Sequence, residues 1–390
     1  MTPGARAAAA IEILDRILAG QPAEQALVRW ARGARYAGSG DRAAVRDHVF
    51  DAVRRKRSLA HIAGRDDGRG LIVGLAHADS WPLEAVFSGD GYAPPSLGAA
   101  ERAPADLGTA DAAISADMPD WLWPRLTDHY GPAATEIAAA LQRRAPVWLR
   151  VNTLKTTRDA VARALGVEGI ATEPGTLSPT ALAVTDGARR LRNSPVLAQG
   201  LAEFQDAASQ AVVDTLPLPE AGQILDYCAG GGGKALSLAA RTGGAEILCH
   251  DANPGRMSDI PERATRAGAC LKIVAPEDLP ATAPLPLILC DVPCSGSGAW
   301  ARTPDAKWRL TETRLAELRT LQAQILDAAA ALTAPGGVLA YATCSVLAEE
   351  NAAQATAFVQ RHPGWRLDFD RQFLPGEGGD GFYVAHLRAP

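Results

Sequence analysis

Two cysteines stand out in this 390-residue sequence because of what surrounds them. Cys294 lies in LILCDVPCSGSG and Cys344 in LAYATCSVLAEEN, each just past a short apolar run. Open α/β sheets bind their ligands beyond such strand ends. A thiol placed there can do more than pack. A few per cent of cysteine is already thiolate at neutral pH, and the thiolate is a strong nucleophile. One cysteine near a strand end is usually structural. Two of them, 50 positions apart and able to face one pocket, form a specific signal. Asp291 adds a carboxyl to the first of these loops.

A third element is the glycine-rich stretch ILDYCAGGGGKALSLAA, which reads as strand, turn and helix. A phosphate-binding P-loop would need glycine where Cys228 stands and Ser or Thr where Ala235 stands, so a nucleoside triphosphate site is excluded. Gly230, Gly232 and Ala235 fit GxGxxA, with Asp251 closing the next strand. Glycines let the backbone approach a ligand, and a carboxylate after the second strand can accept hydrogen bonds from ribose hydroxyls. Such a loop suits NAD and S-adenosylmethionine equally.

The paired thiols separate the two. Cytosine C5 is too weak a nucleophile to take a methyl group unaided. A thiolate adding to C6 turns C5 into an enamine carbon that can attack the methyl of S-adenosylmethionine, after which the C5 proton must leave and the thiol be expelled. That chemistry needs a nucleophilic thiol, a group that handles charge on the ring, and a base. Lys234 is a cation that could raise the thiolate fraction. Asp291, protonated or sharing a proton with the ring, could bond the cytosine N3/N4 edge. An NAD oxidoreductase explains the glycine loop but not the cysteines. A DNA cytosine-C5 methyltransferase would use the Pro-Cys thiol as nucleophile and need no second cysteine. A non-catalytic RNA-binding factor would have no use for both thiols, Asp291 and Lys234.

The scaffold follows from pattern. From about residue 222, ILDYCA, EILCHDA, LKIVA, LILCDV and GGVLAYATCS alternate with helical stretches, which predicts an α/β, doubly wound, Rossmann-like sheet. Strands over 224–228, 247–251, 271–275, 287–291 and 337–343 in the order 3-2-1-4-5 place a cofactor between the first and fourth. They also put the fourth beside the fifth, about 4.8 Å away. GDGFYVAHLR reads as a closing antiparallel strand. Residues 118–204, with VWLRVNTL and TALAVTDG, read as a small α+β subdomain, and 91–117, rich in Ala, Pro, Gly and Asp, as a linker. Residues 1–90 read as an all-helical domain: Ile11, Leu14, Ile17 and Leu18, then Val45, Val49, Phe50 and Val53, recur at helical spacing.

Composition sets limits. With 47% hydrophobic and 21% charged residues the chain is a folded one, and no apolar run is long enough for a bilayer. The N-terminus lacks a signal-peptide pattern, so a cytoplasmic protein with no membrane partner is expected. Six cysteines, at 228, 249, 270, 290, 294 and 344, show no zinc-like spacing, so no metal is expected, and most of them should be small buried thiols. The net charge of −5 argues against a globally basic nucleic-acid binder. Residues 1–57 nevertheless carry 11 Lys/Arg against 6 Asp/Glu. The run Arg54, Arg55, Lys56, Arg57 reads either as a solvated helix end or as an RNA-facing patch. A monomer is expected.

At this point the sequence resembles the RsmB/Sun/Nop family of RNA cytosine-C5 methyltransferases, through DYCAGGGGK, HDANPGRM, DVPCSGSG, KW at 307–308 and YATCSV. The resemblance implies a class I methyltransferase domain over 205–390, with Cys344 as nucleophile and Cys294 assisting product release. It implies cofactor contacts at Asp226, Cys228, Ala229, Gly230, Gly231, Gly232, Gly233, Lys234, Asp251, Arg256 and Asp291, with Glu277 or Asp278 of VAPEDL against the adenine. LRVNTLK and GLAEFQDAASQAVV resemble the family's substrate side, which puts Arg150, Asn152, Gln205 and Asp206 near substrate. DRAAVRDHVFDAVRR resembles part of a shortened NusB-like RNA-binding domain. The implied cofactor is S-adenosylmethionine and the implied partner is RNA, small-subunit ribosomal RNA ahead of tRNA. The target base would have to leave its stack, which favours single-stranded or loop RNA, bound in a salt-sensitive way.

Overall fold

Val, Leu and Ile runs too short for helices, each followed by a helix, pair most readily as parallel strands with the helices on both faces. The computed structural model, which describes residues 1–390, contains 11 strands in two sheets. β1 (Val147–Val151), β2 (Ala171–Pro174), β3 (Ala181–Asp186) and β4 (Ala202–Phe204) form an antiparallel sheet in the order β2-β3-β1-β4. β5 (Ile224–Asp226), β6 (Ile247–Cys249), β7 (Leu271–Ile273), β8 (Leu285–Asp291), β9 (Thr333–Thr343), β10 (Arg366–Phe373) and β11 (Phe382–Arg388) form the second, in the order β10-β11-β9-β8-β5-β6-β7. Its five parallel members carry the expected 3-2-1-4-5 order. Successive residues alternate between two cores: Ile224, Ile247, Leu287 and Val338 face one side, Leu225, Leu248, Ile288 and Leu339 the other.

Two strand expectations need correction. β5, β6 and β7 end two residues earlier than their sequence patterns suggest, because Tyr227, His250 and Val274 already belong to the turns above the sheet. β10 was not expected. RLDFDRQF is exposed over its first six residues, and an edge strand with charges on both faces has no apolar alternation to reveal it.

The chain divides into two compact units: Met1–Arg144 with Trp300–Arg309, and Ala145–Ala299 with Leu310–Pro390. In the first, helices Pro3–Leu18, Ala23–Gly33, Ser39–Arg54, Lys56–Ala63 and Gly68–Ala78 enclose Ile13, Leu14, Val49, Leu71 and Ile72. The stretch 91–117 is no free linker. Leu97 joins this core, and buried Asp117 accepts from the amides of Arg57 and Ser58 (2.8 and 2.9 Å), capping helix Lys56–Ala63. Its Pro/Gly/Ala composition signals turns rather than a lack of packing. Helices Trp123–Tyr130 and Ala133–Gln142 also pack in this unit.

The basic run has partners within the same unit. Arg54 is buried and donates to the carbonyl of Ala301 (2.7 Å), Arg55 pairs with Asp79 (2.9 Å) and Arg57 with Asp120 (2.5 Å). Lys56 stands 5.3 Å from the Trp308 ring centre. The KW pair works in this unit too: Trp308 Nε1 donates to Val53 O (2.7 Å) and Lys307 Nζ to Arg54 O (3.3 Å). Burial lowers the Lys307 ammonium to about 8 even with Asp117 near it. No helix is long and apolar enough to cross a membrane.

Candidate active site

β8 and β9 run side by side with Asp291 opposite Ala342, so the loops that leave them start at one level. This brings Cys294 Sγ and Cys344 Sγ to 3.3 Å. Both cysteines are half-buried, and the adjoining Ser297, Thr343 and Ser345 are fully buried. The hydrogen bond it makes to Cys344, followed by burial, pushes the Cys294 thiol well above its ordinary range. Cys294 is therefore a protonated donor at neutral pH.

What fixes the two loops is a residue that the sequence reading missed. Glu350, with no exposed surface, accepts from the Ser295 amide (2.8 Å), Ser295 Oγ (2.5 Å), Ser345 Oγ (2.6 Å) and Gln322 Nε2 (3.0 Å). One carboxyl thus ties the residue after Cys294 to the residue after Cys344. The signal was present in the sequence: each cysteine is followed by a serine, and two hydroxyls near the sheet need a buried acceptor. Beneath them Gly298 donates its amide to Cys344 O (3.0 Å) and accepts from Gly381 N (2.9 Å). A Cβ on Gly298 would lie 2.0 Å from Gly381 O, so only glycine lets the tail pass this closely.

Beside the sulfurs, Lys234 Nζ donates to Asp291 Oδ2 at 2.6 Å. Burial alone would depress the lysine, but the charge and hydrogen bond of Asp291 more than offset it, so Lys234 stays an ammonium. Lys234 and Asp291 thus stand as an ion pair.

Asp226 ends β5 and is 1% exposed, and neither of its oxygens finds a donor in good hydrogen-bonding geometry. Burial first, then the charge of Asp291, push its carboxyl up to about 7, against the pull of Lys234 and the Ala235 amide. A buried carboxyl left so short of donors fits a cationic ligand group. Above it the turn from Cys228 to Gly233 enters helix Gly233–Arg241 through Gly232, whose φ of 81° is open to glycine at little cost. Asp251 accepts from Gly230 N (3.0 Å), Asn253 N (2.9 Å) and Arg256 Nη1 (3.0 Å), so the carboxylate is fixed against the turn. Burial pushes the Cys228 thiol upward, which leaves it an inert neighbour of Ala229. Glu277 and Asp278 are both exposed in the turn Pro276–Thr282, and nothing in their surroundings chooses between them.

The four residues expected near substrate have these places in the structure. Arg150 is buried and paired with Glu203 (3.2 Å), and Asn152 Nδ2 is tied to the carbonyls of Gly200 and Ala267 (2.9 and 2.7 Å). Asp206 caps helix Ala207–Asp214 and accepts from the amide of Asp380 (3.0 Å). These three brace the two sheets, a task that a buried polar group performs with the same residue types as a binding site. Gln205 comes near the glycine turn, with Nε2 3.9 Å from where a Cβ on Gly233 would stand. Of the remaining cysteines, Cys249 and Cys290 are buried as expected, but Cys270 is exposed.

Comparison with known proteins bears on the family. The family description "16S rRNA methyltransferase RsmB/F" matches residues 213–388, and its ferredoxin-like domain matches residues 118–189. Ribosomal RNA small subunit methyltransferase B of Salmonella arizonae is 37% identical over 295 residues, covering 72% of this chain and 68% of its own length. The protein of the same name from Serratia proteamaculans is 35% identical over 290 residues, 69% of this chain and 66% of its own. Among solved structures, PH0851 covers 99% of both chains at a TM-score of 0.76 and 22% identity. NSun6 from Pyrococcus horikoshii, solved with the S-adenosylmethionine analogue SFG, covers 70% of this chain and 98% of its own at 0.61 and 19%. These two show a shared fold. With the curated relatives beside them, the chain belongs to the RsmB/F family of S-adenosylmethionine-dependent RNA methyltransferases.

Proposed function

We propose that the chain methylates C5 of a cytosine in small-subunit ribosomal RNA, through a covalent bond between Cys344 Sγ and cytosine C6. The observation that carries this reading is the pair of sulfurs 3.3 Å apart beside the Lys234–Asp291 ion pair. The relatives named ribosomal RNA small subunit methyltransferase B support the choice of RNA. S-adenosylmethionine, held at the Cys228–Gly233 turn by Asp226 and Asp251, supplies an electrophilic methyl group.

The protein's own groups divide the remaining work. Cys344 attacks C6 as thiolate, steadied by a hydrogen bond from Cys294 and by the Lys234 charge. Negative charge that develops on the ring is met by the Lys234 proton, positioned by Asp291. Once the Cys344 sulfur is bonded to carbon, the hydrogen bond that holds the Cys294 proton weakens. Cys294, half-buried, can then release that proton to solvent water and, as the thiolate, take the one on C5, and the C5–H electrons re-form the C5–C6 double bond as the Cys344–C6 bond breaks. The thiolate that leaves is Cys344, which returns to its starting state.

Bisulfite sequencing of total RNA from cells with and without the gene tests the reading. A conversion-resistant cytosine in small-subunit rRNA should become convertible when the gene is removed. An unchanged rRNA profile with a lost tRNA site would move the substrate, and no lost site at all would overturn the activity.

Asp226 gives a pH prediction. Its carboxyl titrates near pH 7, and only the anion can pair with the ammonium of the cofactor's amino-acid part. Cofactor affinity should therefore rise as pH increases from 6 to 8, by up to about ten-fold per unit below the pKa. Asp226→Asn should be weak and flat across that range. Isothermal titration at the two pH values reads this directly, and a wild-type affinity independent of pH would contradict it.

A further inference from the structure

β4 inverts the usual strand pattern at the free edge of the antiparallel sheet: Glu203 is buried while Phe204 is 57% exposed. Both line a cavity of about 560 Å³ together with Arg192, Asp259, Arg263 and Arg266. Three guanidiniums converge on the single Glu203 carboxyl, from Arg150 (3.2 Å), Arg263 (2.9 Å) and Arg266 (3.3 Å). Arg266 also touches Glu262, which is 84% exposed and so adds little charge inside the cavity. The turn Ala188–Asn193, which carries Arg192, presents Arg189 and Arg190 on the surface as well. The region thus has six arginines to three carboxyls, counting Asp259, and an unpaired aromatic face. Arg263 also donates to Gly231 O, which joins the cavity wall to the cofactor turn.

An exposed aromatic ring amid excess guanidinium charge suits one ligand chemistry in particular. Nucleobases stack on such rings whatever their sequence, and phosphates take up the positive charge. We propose that this cavity is an RNA subsite outside the target base, in which an unpaired nucleobase stacks on Phe204 and its flanking phosphates meet Arg192 and Arg266. The proposal rests on the reading of the chain as an RNA enzyme. It is independent of the cysteine chemistry, and the test keeps the two apart.

The probe is a fluorescently labelled, cytosine-free single-stranded RNA of about twelve nucleotides, bound to the full chain and read by anisotropy. Phe204→Ala should weaken binding about ten-fold, and Phe204→Trp should restore it, because stacking rather than side-chain volume is needed. Arg192→Glu should weaken binding and flatten its salt dependence by about one unit of slope or more. S-adenosylmethionine affinity, unchanged in all three, would certify the fold. Wild-type affinity in Phe204→Ala, or a loss that Trp does not repair, would overturn the subsite while leaving the methyltransferase reading intact. The expected losses in a protein that methylates no cytosine-containing RNA would uphold the subsite and remove the catalytic reading.

Discussion

Replacing Cys344 by alanine should abolish methyl transfer, lowering turnover at least about a thousand-fold, as loss of a covalent nucleophile does elsewhere. Replacing Cys294 by alanine should have a different signature. The attack by Cys344 still proceeds, but the thiol that sits 3.3 Å away and handles the proton is gone. Turnover should fall by at least about a hundred-fold, and protein should remain bonded to RNA through a denaturing gel. The asymmetry belongs to the proposed roles, and the upward push on the Cys294 thiol by its hydrogen bond to Cys344 and by burial supports them, since a held proton suits Cys294 to proton transfer. Equal residual activity in both variants would contradict this division of roles. RNA held by the Cys344→Ala protein would reverse it.

The second large effect is expected far from the reacting atoms. Glu350→Ala leaves the Ser295 amide, two serine hydroxyls and the Gln322 amide without their acceptor in a fully buried place. Unsatisfied buried donors and the cavity together should destabilise the protein by about 3 kcal/mol. Because that carboxyl aligns both cysteine loops, turnover should also drop about a hundred-fold, the usual penalty for a misplacement near 1 Å. Glu350→Gln keeps the shape and one acceptor, so it should lose about 1–2 kcal/mol and much less activity. Thermal unfolding gives the first number, and the rate of thiol labelling at Cys294 and Cys344 reports loop alignment. A Glu350→Ala protein with wild-type labelling rates and turnover would remove Glu350 from any positioning role.

The parts of this protein that were readable from sequence are those where one residue type has one physical use. The alternation of five strands with helices was readable from apolar runs, and the order 3-2-1-4-5 supposed for them is the one that brings Cys294 to Cys344. The glycine turn was readable because a left-handed residue such as Gly232 leaves few alternatives. What stayed hidden depended on partners that sequence does not display. Arg150 and Asn152 are polar residues of the type that touch RNA, yet their partners Glu203, Gly200 and Ala267 are distant in the chain and buried. Asp117, in a Pro- and Ala-rich stretch, gave no sign that it caps a helix 60 positions earlier. The run from Arg54 to Arg57 had the composition of a nucleic-acid patch but found acceptors inside its own unit.

The central claim is that Cys344 alone holds the pyrimidine. Its most direct measurement uses small-subunit rRNA carrying 5-fluorocytidine, whose C5 fluorine cannot leave as a proton does, incubated with the wild-type protein and S-adenosylmethionine. After digestion, mass spectrometry should find the nucleotide on the peptide containing Cys344. Attachment to the Cys294 peptide, or no attachment in a protein that still methylates ordinary RNA, would contradict the account.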